Sequence, residues 1–475
     1  MSTFRKIVNN TAIQACGSAF NTVTGLLVTA ALARYLGKDG YGEYSLVFVY
    51  LFFAGVIADL GFDGILVREL AKVPDLTSQR AVSLISNTII WKLVFSGLAL
   101  AISAAYLFFR DYPLNTKLAV ILLELTLFAG AGESLEAIFK VNLQIKYSVI
   151  SSLISQGTHL FFLLLFIYLK TTLLVLIGAY FLARLVRCVV VYLFSTKFIR
   201  FRFCLDRSLM KFLFLESFPL GIAAGLWMVY YRVDTLMLDY YKGVGAVGQY
   251  NAAYKFVDLF LLFSGMIMVS IYPIMSATYS DHIESLKKLY QKSIDYLSIV
   301  GAFITFFTFI FAKYIITLIY GTRFLDSIPT LRILAWVGIF IFVSNIYGHM
   351  FIVLGLQKRD FLLLRFLGLV VNVFLNLKLI PAWGANGAAA ATVFTEFLIF
   401  LLAPILIGNK FSYHPSFKNL FKSVGTAVFP CLLFLFVPFL AESIYPAIIL
   451  FLTLSLLMFR RDYLQMWEFF KGEVN

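Results

Sequence analysis

The chain has 475 residues, of which 61% are hydrophobic and only 13% charged, and its mean hydropathy is +0.90. Soluble domains carry about 25% charged residues, so a water-soluble globular protein is excluded. The formal charge of +14 would suit nucleic acid, but the basic residues sit in short segments between apolar runs, where membrane proteins collect them. No nucleic-acid partner is expected.

Apolar runs of roughly 20 residues, each long enough to cross a bilayer, recur along the whole length. The first, 11–35, follows Arg5 and Lys6 without a small-residue cleavage site, so it reads as a retained span. Thr11, Gln14, Ser18, Asn21 and Gly25 give it one polar or small face, which suits a hydrated cleft or a close helix approach. Further runs follow at 42–66, 81–109, 114–139, 147–169 and 173–196. A second set lies at 212–238, 247–275, 289–312, 328–354, 361–379 and 385–407, and a last pair at 420–440 and 443–459. About fourteen transmembrane helices are therefore expected in an all-α integral membrane protein. Pro219, Gly221 and Gly225 are expected to bend the seventh helix and Pro273 to end the eighth. The apolar piece 314–320 is too short to span.

One motif repeats. Gly37 to Tyr44 (Gly-Lys-Asp-Gly-Tyr-Gly-Glu-Tyr) is echoed by Gly243 to Tyr250, with Gly42 falling on Gly248 and Tyr44 on Tyr250 at an offset of 206 residues. Six helices separate the copies. An even number brings both halves into the membrane in the same sense, so their relating axis should run along the membrane normal. The expected architecture is two six-helix lobes (residues 1–205 and 206–410) facing each other across a cleft, then two appended helices and a tail (411–475).

Charge places the ends. With the N-terminus inside, the inner segments hold 24 Lys and Arg, the outer ones 9, and 6 lie within spans. That bias puts both termini in the cytoplasm. The six in-span cations are Lys92, Arg184, Arg187, Arg232, Lys255 and Arg332. Facing lipid alone, each would cost about 2.5–3.5 kcal/mol, so they must pair, snorkel or face water. Acids are available among the spans, including Asp59, Asp63, Glu124, Asp234, Asp258 and Glu396. Lys255 and Asp258, three apart, share a helix face, whereas Arg232 and Asp234, two apart, point different ways. Arg184 and Arg187 share a face on a helix with no acid, which leaves their charge for a ligand or for the headgroup region. Arg34, Arg68 and Lys140, in terminal turns, read as snorkelling anchors.

The four cysteines, Cys16, Cys188, Cys204 and Cys431, stand at unrelated spacings as small hydrophobes. His159 and His349 stand singly in apolar helices as core side chains. There is no metal-ligand cluster, nucleophile elbow or phosphate-cradling loop, so the chain does not read as an enzyme and no cofactor is expected.

Several stretches carry a family resemblance: Asp234-Thr-Leu-Met-Leu, Val247-Gly-Gln-Tyr-Asn-Ala-Ala-Tyr-Lys255, Ala33-Arg-Tyr-Leu-Gly37 through Gly42-Glu-Tyr44, Asp59-Leu-Gly61, Tyr314 to Gly321 and Asn386-Gly-Ala-Ala389. They resemble the polysaccharide-transporter family, and within it the O-antigen flippases of the Wzx type. The resemblance implies a MATE-like fold of the multidrug/oligosaccharidyl-lipid/polysaccharide superfamily. It also implies an inner-membrane carrier that moves undecaprenyl-diphosphate-linked oligosaccharide from the cytoplasmic to the periplasmic leaflet, coupled to H+ or Na+. Membrane lipids and glycan polymerase machinery are the implied partners. On this reading Arg184, Arg187, Arg232 and Lys255, then Lys92 and Arg332, are cavity or diphosphate cations. Asp59, Glu124, Asp234 and Asp258 serve ion coupling or pair those cations. The rival readings are a drug/cation antiporter on the same fold and a flippase for a lipid-linked peptidoglycan precursor.

Overall fold

A computed structural model describes residues 3–436 and 444–471. All regular structure among them is helical, because apolar segments this long close their backbone hydrogen bonds internally. In chain order the helices are α1 (Thr3–Asp59), α2 (Phe62–Leu70), α3 (Gln79–Phe108), α4 (Leu114–Glu124), α5 (Thr126–Gly132) and α6 (Glu136–Val141). Next come α7 (Lys146–Tyr168), α8 (Leu173–Ser195), α9 (Arg207–Lys242), α10 (Val244–Asp281), α11 (Ile283–Ile310) and α12 (Ala312–Tyr320). The last are α13 (Ser327–Ala335), α14 (Val337–Val353), α15 (Leu362–Trp383), α16 (Ala385–Phe411), α17 (Lys418–Phe436) and α18 (Tyr445–Lys471).

Twelve helical stretches among the described residues are long and apolar enough to cross a membrane. One of them, Gly17–Asp59, has 43 residues, about twice the length a single crossing needs. Gly37 interrupts it at φ 71°, ψ −172°. With that break counted, and with the shorter apolar helix Tyr445–Phe459, the pattern matches the fourteen runs expected from hydropathy. The nine-residue α12 is the short apolar piece, closed by Gly321 at φ 86°. The connection 437–443 lies outside the described residues.

Gly243, 206 residues after Gly37, has φ 77° and ψ 177° and caps α10. The two motif copies thus share one backbone conformation, in a region that side chains other than glycine's rarely adopt.

Pro273 does not end its helix as expected: α10 runs through it to Asp281. Pro219 likewise lies inside the continuous α9. A proline removes one hydrogen bond, but in a long membrane helix neighbouring groups re-satisfy the freed carbonyl, so the helix need not end there.

The chain divides into two compact units, Met1–Leu236 and Met237–Asn475. The division falls inside α9, later than the loop near 205–206. Packing explains it: Arg68 pairs with Glu216 at 2.7 Å, the Trp91 indole donates to the Met210 carbonyl, and Phe214 stacks on Phe95. Above all, the backbones nearly touch. A Cβ on Gly221 would lie 2.7 Å from the Leu60 carbonyl oxygen, and one on Gly61 2.8 Å from Leu220 Cβ. The core of this unit gathers Phe62, Ile65, Leu66, Ile85, Ile138 and Phe139 around that contact.

The second unit has its own core on α11 and α14, with Tyr290, Phe306, Phe342 and Tyr347 fully buried. Phe306 stacks on Phe451 of α18 with ring centroids 3.9 Å apart.

Candidate functional site

The site grows from the end of α1. Leu60 (φ 42°) and Gly61 (φ 83°) turn the chain from α1 into α2, which sets Asp59 and Asp63 side by side: the Asp63 amide donates to Asp59 Oδ1. Lys92 of α3 reaches both, with Nζ 3.2 Å from Asp59 Oδ1 and 2.8 Å from Asp63 Oδ2. The Ser134 hydroxyl donates to the other Asp63 oxygen at 2.8 Å. Lys92 is nearly buried and the two aspartates are about half exposed, so one cation bridges two carboxylates at the edge of a void.

The opposite wall comes from the fourth span, which is irregular. α4 stops at Glu124, α5 runs to Gly132, and a single 3-10 turn (Glu133–Leu135) precedes α6. Breaks of this kind at membrane depth occur where backbone is covered by protein or lines a cavity. Here Glu133, Ser134, Glu136 and Lys140 line one. Facing them on α8 are Arg184 and Arg187, three residues apart and so on one helix face. Arg184 Nη1 lies 3.0 Å from Glu133 Oε2, Arg187 Nε 3.6 Å from the same oxygen, and Arg187 Nη2 2.9 Å from Glu136 Oε1.

These groups enclose a cavity of about 350 Å³, room for roughly 12 waters at about 30 Å³ each. Its wall carries four cations (Lys92, Lys140, Arg184, Arg187) and four carboxylates (Asp59, Asp63, Glu133, Glu136). The basic excess inferred from α8 alone is therefore absent here, because the matching acids stand on a neighbouring span. Glu133 and Glu136 repeat the three-residue spacing of Arg184 and Arg187. That spacing puts each pair on one face, but it does not say which two faces meet. Lys140, read as a snorkelling anchor, lies at the cavity wall.

The remaining singled-out residues do not join this cavity. Arg232 stands over the Phe52 and Tyr231 rings at 5.4 and 4.7 Å, while Asp234 is buried and accepts from the Thr235 amide at 2.7 Å. In the second unit Lys255 and Asp258 pair along one helix face at 4.0 Å. Arg332 lies between the Phe309 and Phe434 rings, at 5.6 and 5.3 Å. Glu124 is fully buried; the Ser103 hydroxyl is beside it, but neither carboxylate oxygen has a partner in hydrogen-bonding geometry. His349 bonds the Asn345 carbonyl through Nδ1, and buried His159 meets the Tyr180 ring edge-on. Among the described residues no group of three or more His, Cys, Asp and Glu side chains is placed to hold a metal ion.

The sequence profile of the polysaccharide biosynthesis protein family matches residues 7–279. A candidate O-antigen transporter of Escherichia coli (strain K12) is 21% identical over 401 residues, 82% of this chain and 94% of that one. A membrane protein of Methanocaldococcus jannaschii with no assigned activity is 25% identical over 209 residues, which is 43% of this chain and 41% of its own length. Among solved structures, the lipid II flippase MurJ in an inward closed conformation superposes with a TM-score of 0.73 at 13% identity, covering 94% of this chain and 98% of that one. An inward-facing multidrug resistance transporter of the MATE family, MOP superfamily, gives 0.68 at 15% identity over 82% and 94%. At such identities the likeness is one of fold.

Proposed function

Because this chain belongs to the polysaccharide biosynthesis protein family and has a MATE-like, multi-pass membrane fold, we propose that it is a flippase. Its substrate is an oligosaccharide carried on undecaprenyl diphosphate, moved from the cytoplasmic to the periplasmic leaflet of the bacterial inner membrane. Such a carrier is physically necessary, since each sugar hydroxyl taken unpaired into hydrocarbon costs several kcal/mol. The protein exposes its binding site first to one membrane face and then to the other, drawing on an H+ or Na+ gradient.

The observation that carries this reading is the arginine pair on the cavity wall. Guanidinium groups bind phosphate in the same forked geometry in which they bind carboxylate. Arg184 and Arg187, projecting from successive turns into a cavity of about 350 Å³ between spans, form a site for an anionic headgroup. The void is too small for several sugars, so it would take the diphosphate end.

Surface glycan in a strain lacking the native carrier tests the proposal. Arg184→Ala and Arg187→Ala are expected to lower it about tenfold or more, since a hydrogen bond to a charged group contributes about 1.5–3 kcal/mol, while membrane insertion stays normal. Full glycan in both variants at native expression would return the arginines to a structural role.

A further inference from the structure

We infer that Glu133 is a built-in counter-ion standing where the phosphate oxygens of the lipid headgroup bind, and that it leaves the Arg184–Arg187 pair when the headgroup enters. The inference rests on the flippase reading and adds a residue and a step to it.

Four observations converge on Glu133. Both guanidinium groups meet on a single oxygen, Oε2, at 3.0 and 3.6 Å. The other oxygen, Oε1, is buried without a hydrogen-bond partner, and so is Arg187 Nε. A network held together only by structure would satisfy both oxygens, because a half-satisfied buried carboxylate is worse than an apolar replacement. A phosphate group offers more acceptor oxygens than a carboxylate and would engage donors that Glu133 leaves idle.

The backbone agrees. Glu133 opens the single 3-10 turn of its span, a geometry with weaker hydrogen bonds than the helices either side. Moving Glu133 therefore disturbs less structure than moving any helical residue of the cavity. Lys92, in contrast, is held by two aspartates, one of them fixed by Ser134, and Arg187 keeps Glu136 at 2.9 Å when Glu133 departs. Exchange is thus confined to the Glu133 end. Its departure changes the cavity wall from four against four to four cations against three carboxylates, which makes it attractive to an anion.

The test uses the full chain in lipid nanodiscs, with undecaprenyl diphosphate as one probe and inorganic pyrophosphate as the other. Glu133→Gln keeps the size and removes the charge. It is expected to bind undecaprenyl diphosphate about fivefold or more tightly than wild type, the scale of ordinary coupling between sites. Glu133→Asp, whose shorter arm cannot reach both guanidiniums, should shift binding in the same direction and covers the case in which Glu133→Gln fails to accumulate. Binding by wild type with no gain in either variant overturns the counter-ion role and leaves the flippase reading standing. No binding of the lipid by wild type or either variant overturns both. A gain with pyrophosphate but none with the lipid overturns the headgroup assignment in favour of a free-phosphate site.

Discussion

Lys92 shows how a membrane span tolerates a cation: its ammonium lies within 3.2 Å of two carboxylates. Removing one partner of a buried pair costs up to 3–5 kcal/mol, but Asp59 and Asp63 are partly solvated, so Lys92→Met should cost roughly 1–3 kcal/mol. A lower thermal midpoint in detergent would show it. Adding Asp63→Asn should recover part of the loss, since residues of one network are not additive. Glu124 is the converse, a fully buried carboxyl without a bonded partner. An unpartnered polar side chain inside the membrane is a functional candidate by default. Glu124→Gln is expected to keep thermal stability and to abolish the dependence of transport on the proton gradient. Transport that still follows the gradient in that variant would move coupling to Asp59, Asp234 or Asp258.

Among the elements, the two glycine turns and the α9 crossing decide most. Gly37 and Gly243 hold φ of 71° and 77° with ψ near 180°, so Gly37→Ala and Gly243→Ala should each cost about 1–3 kcal/mol by forcing a Cβ into a backbone region that essentially only glycine adopts. Equal losses in both would fit turns that do the same work in two halves of the chain. Gly221 lets α9 lie on the α1–α2 turn. Gly221→Val would push the Leu60 carbonyl away and should cost about 1–3 kcal/mol by overpacking, displacing Asp59 and Asp63 with it, so anion binding should fall along with stability. α9 also has a pH-sensitive start. The Leu209 and Ser208 amides and the Ser208 hydroxyl donate to Asp206, whose carboxyl is thereby held below its usual range. A depressed folded-state value means stability is present above the unfolded pKa, about 3.9, and lost as pH falls through the folded one. Acid should therefore fray α9, and Asp206→Ala should remove that part of the pH dependence. Thermal midpoints between pH 3 and 7 would check it.

For the whole molecule, lipid takes the place of a larger core. Phe108, Phe109, Leu318 and Leu457 are among many large apolar side chains left exposed, which in water would be an aggregation surface and in a bilayer is the lipid-facing wall. The 24-to-9 distribution of basic residues predicts that both termini face the cytoplasm. A cysteine introduced at Lys38 should label from outside intact cells, and one at Lys140 only after permeabilisation; the reverse pattern would invert the topology and turn the charged cavity toward the other leaflet.

The spans were legible in the sequence because crossing a bilayer demands a continuous apolar stretch, a property each segment carries by itself. The turns at Gly37 and Gly243 were legible for the same local reason, since few other residues adopt that backbone. The in-span cations could be found one by one, and Lys255 with its same-helix partner Asp258, but not the partners that stand on other helices. Arg184 and Arg187 meet Glu133 and Glu136 only because two helices separated by α7 lie in one axial register, and periodicity within a helix says nothing about its height beside another. Tertiary packing also carried α10 through Pro273 and laid the first half of α9 on the opening unit. It turned a chain with a surplus of positive charge into a balanced cavity, because Coulomb pairing in a low-dielectric interior depends on distance across the fold and not on composition.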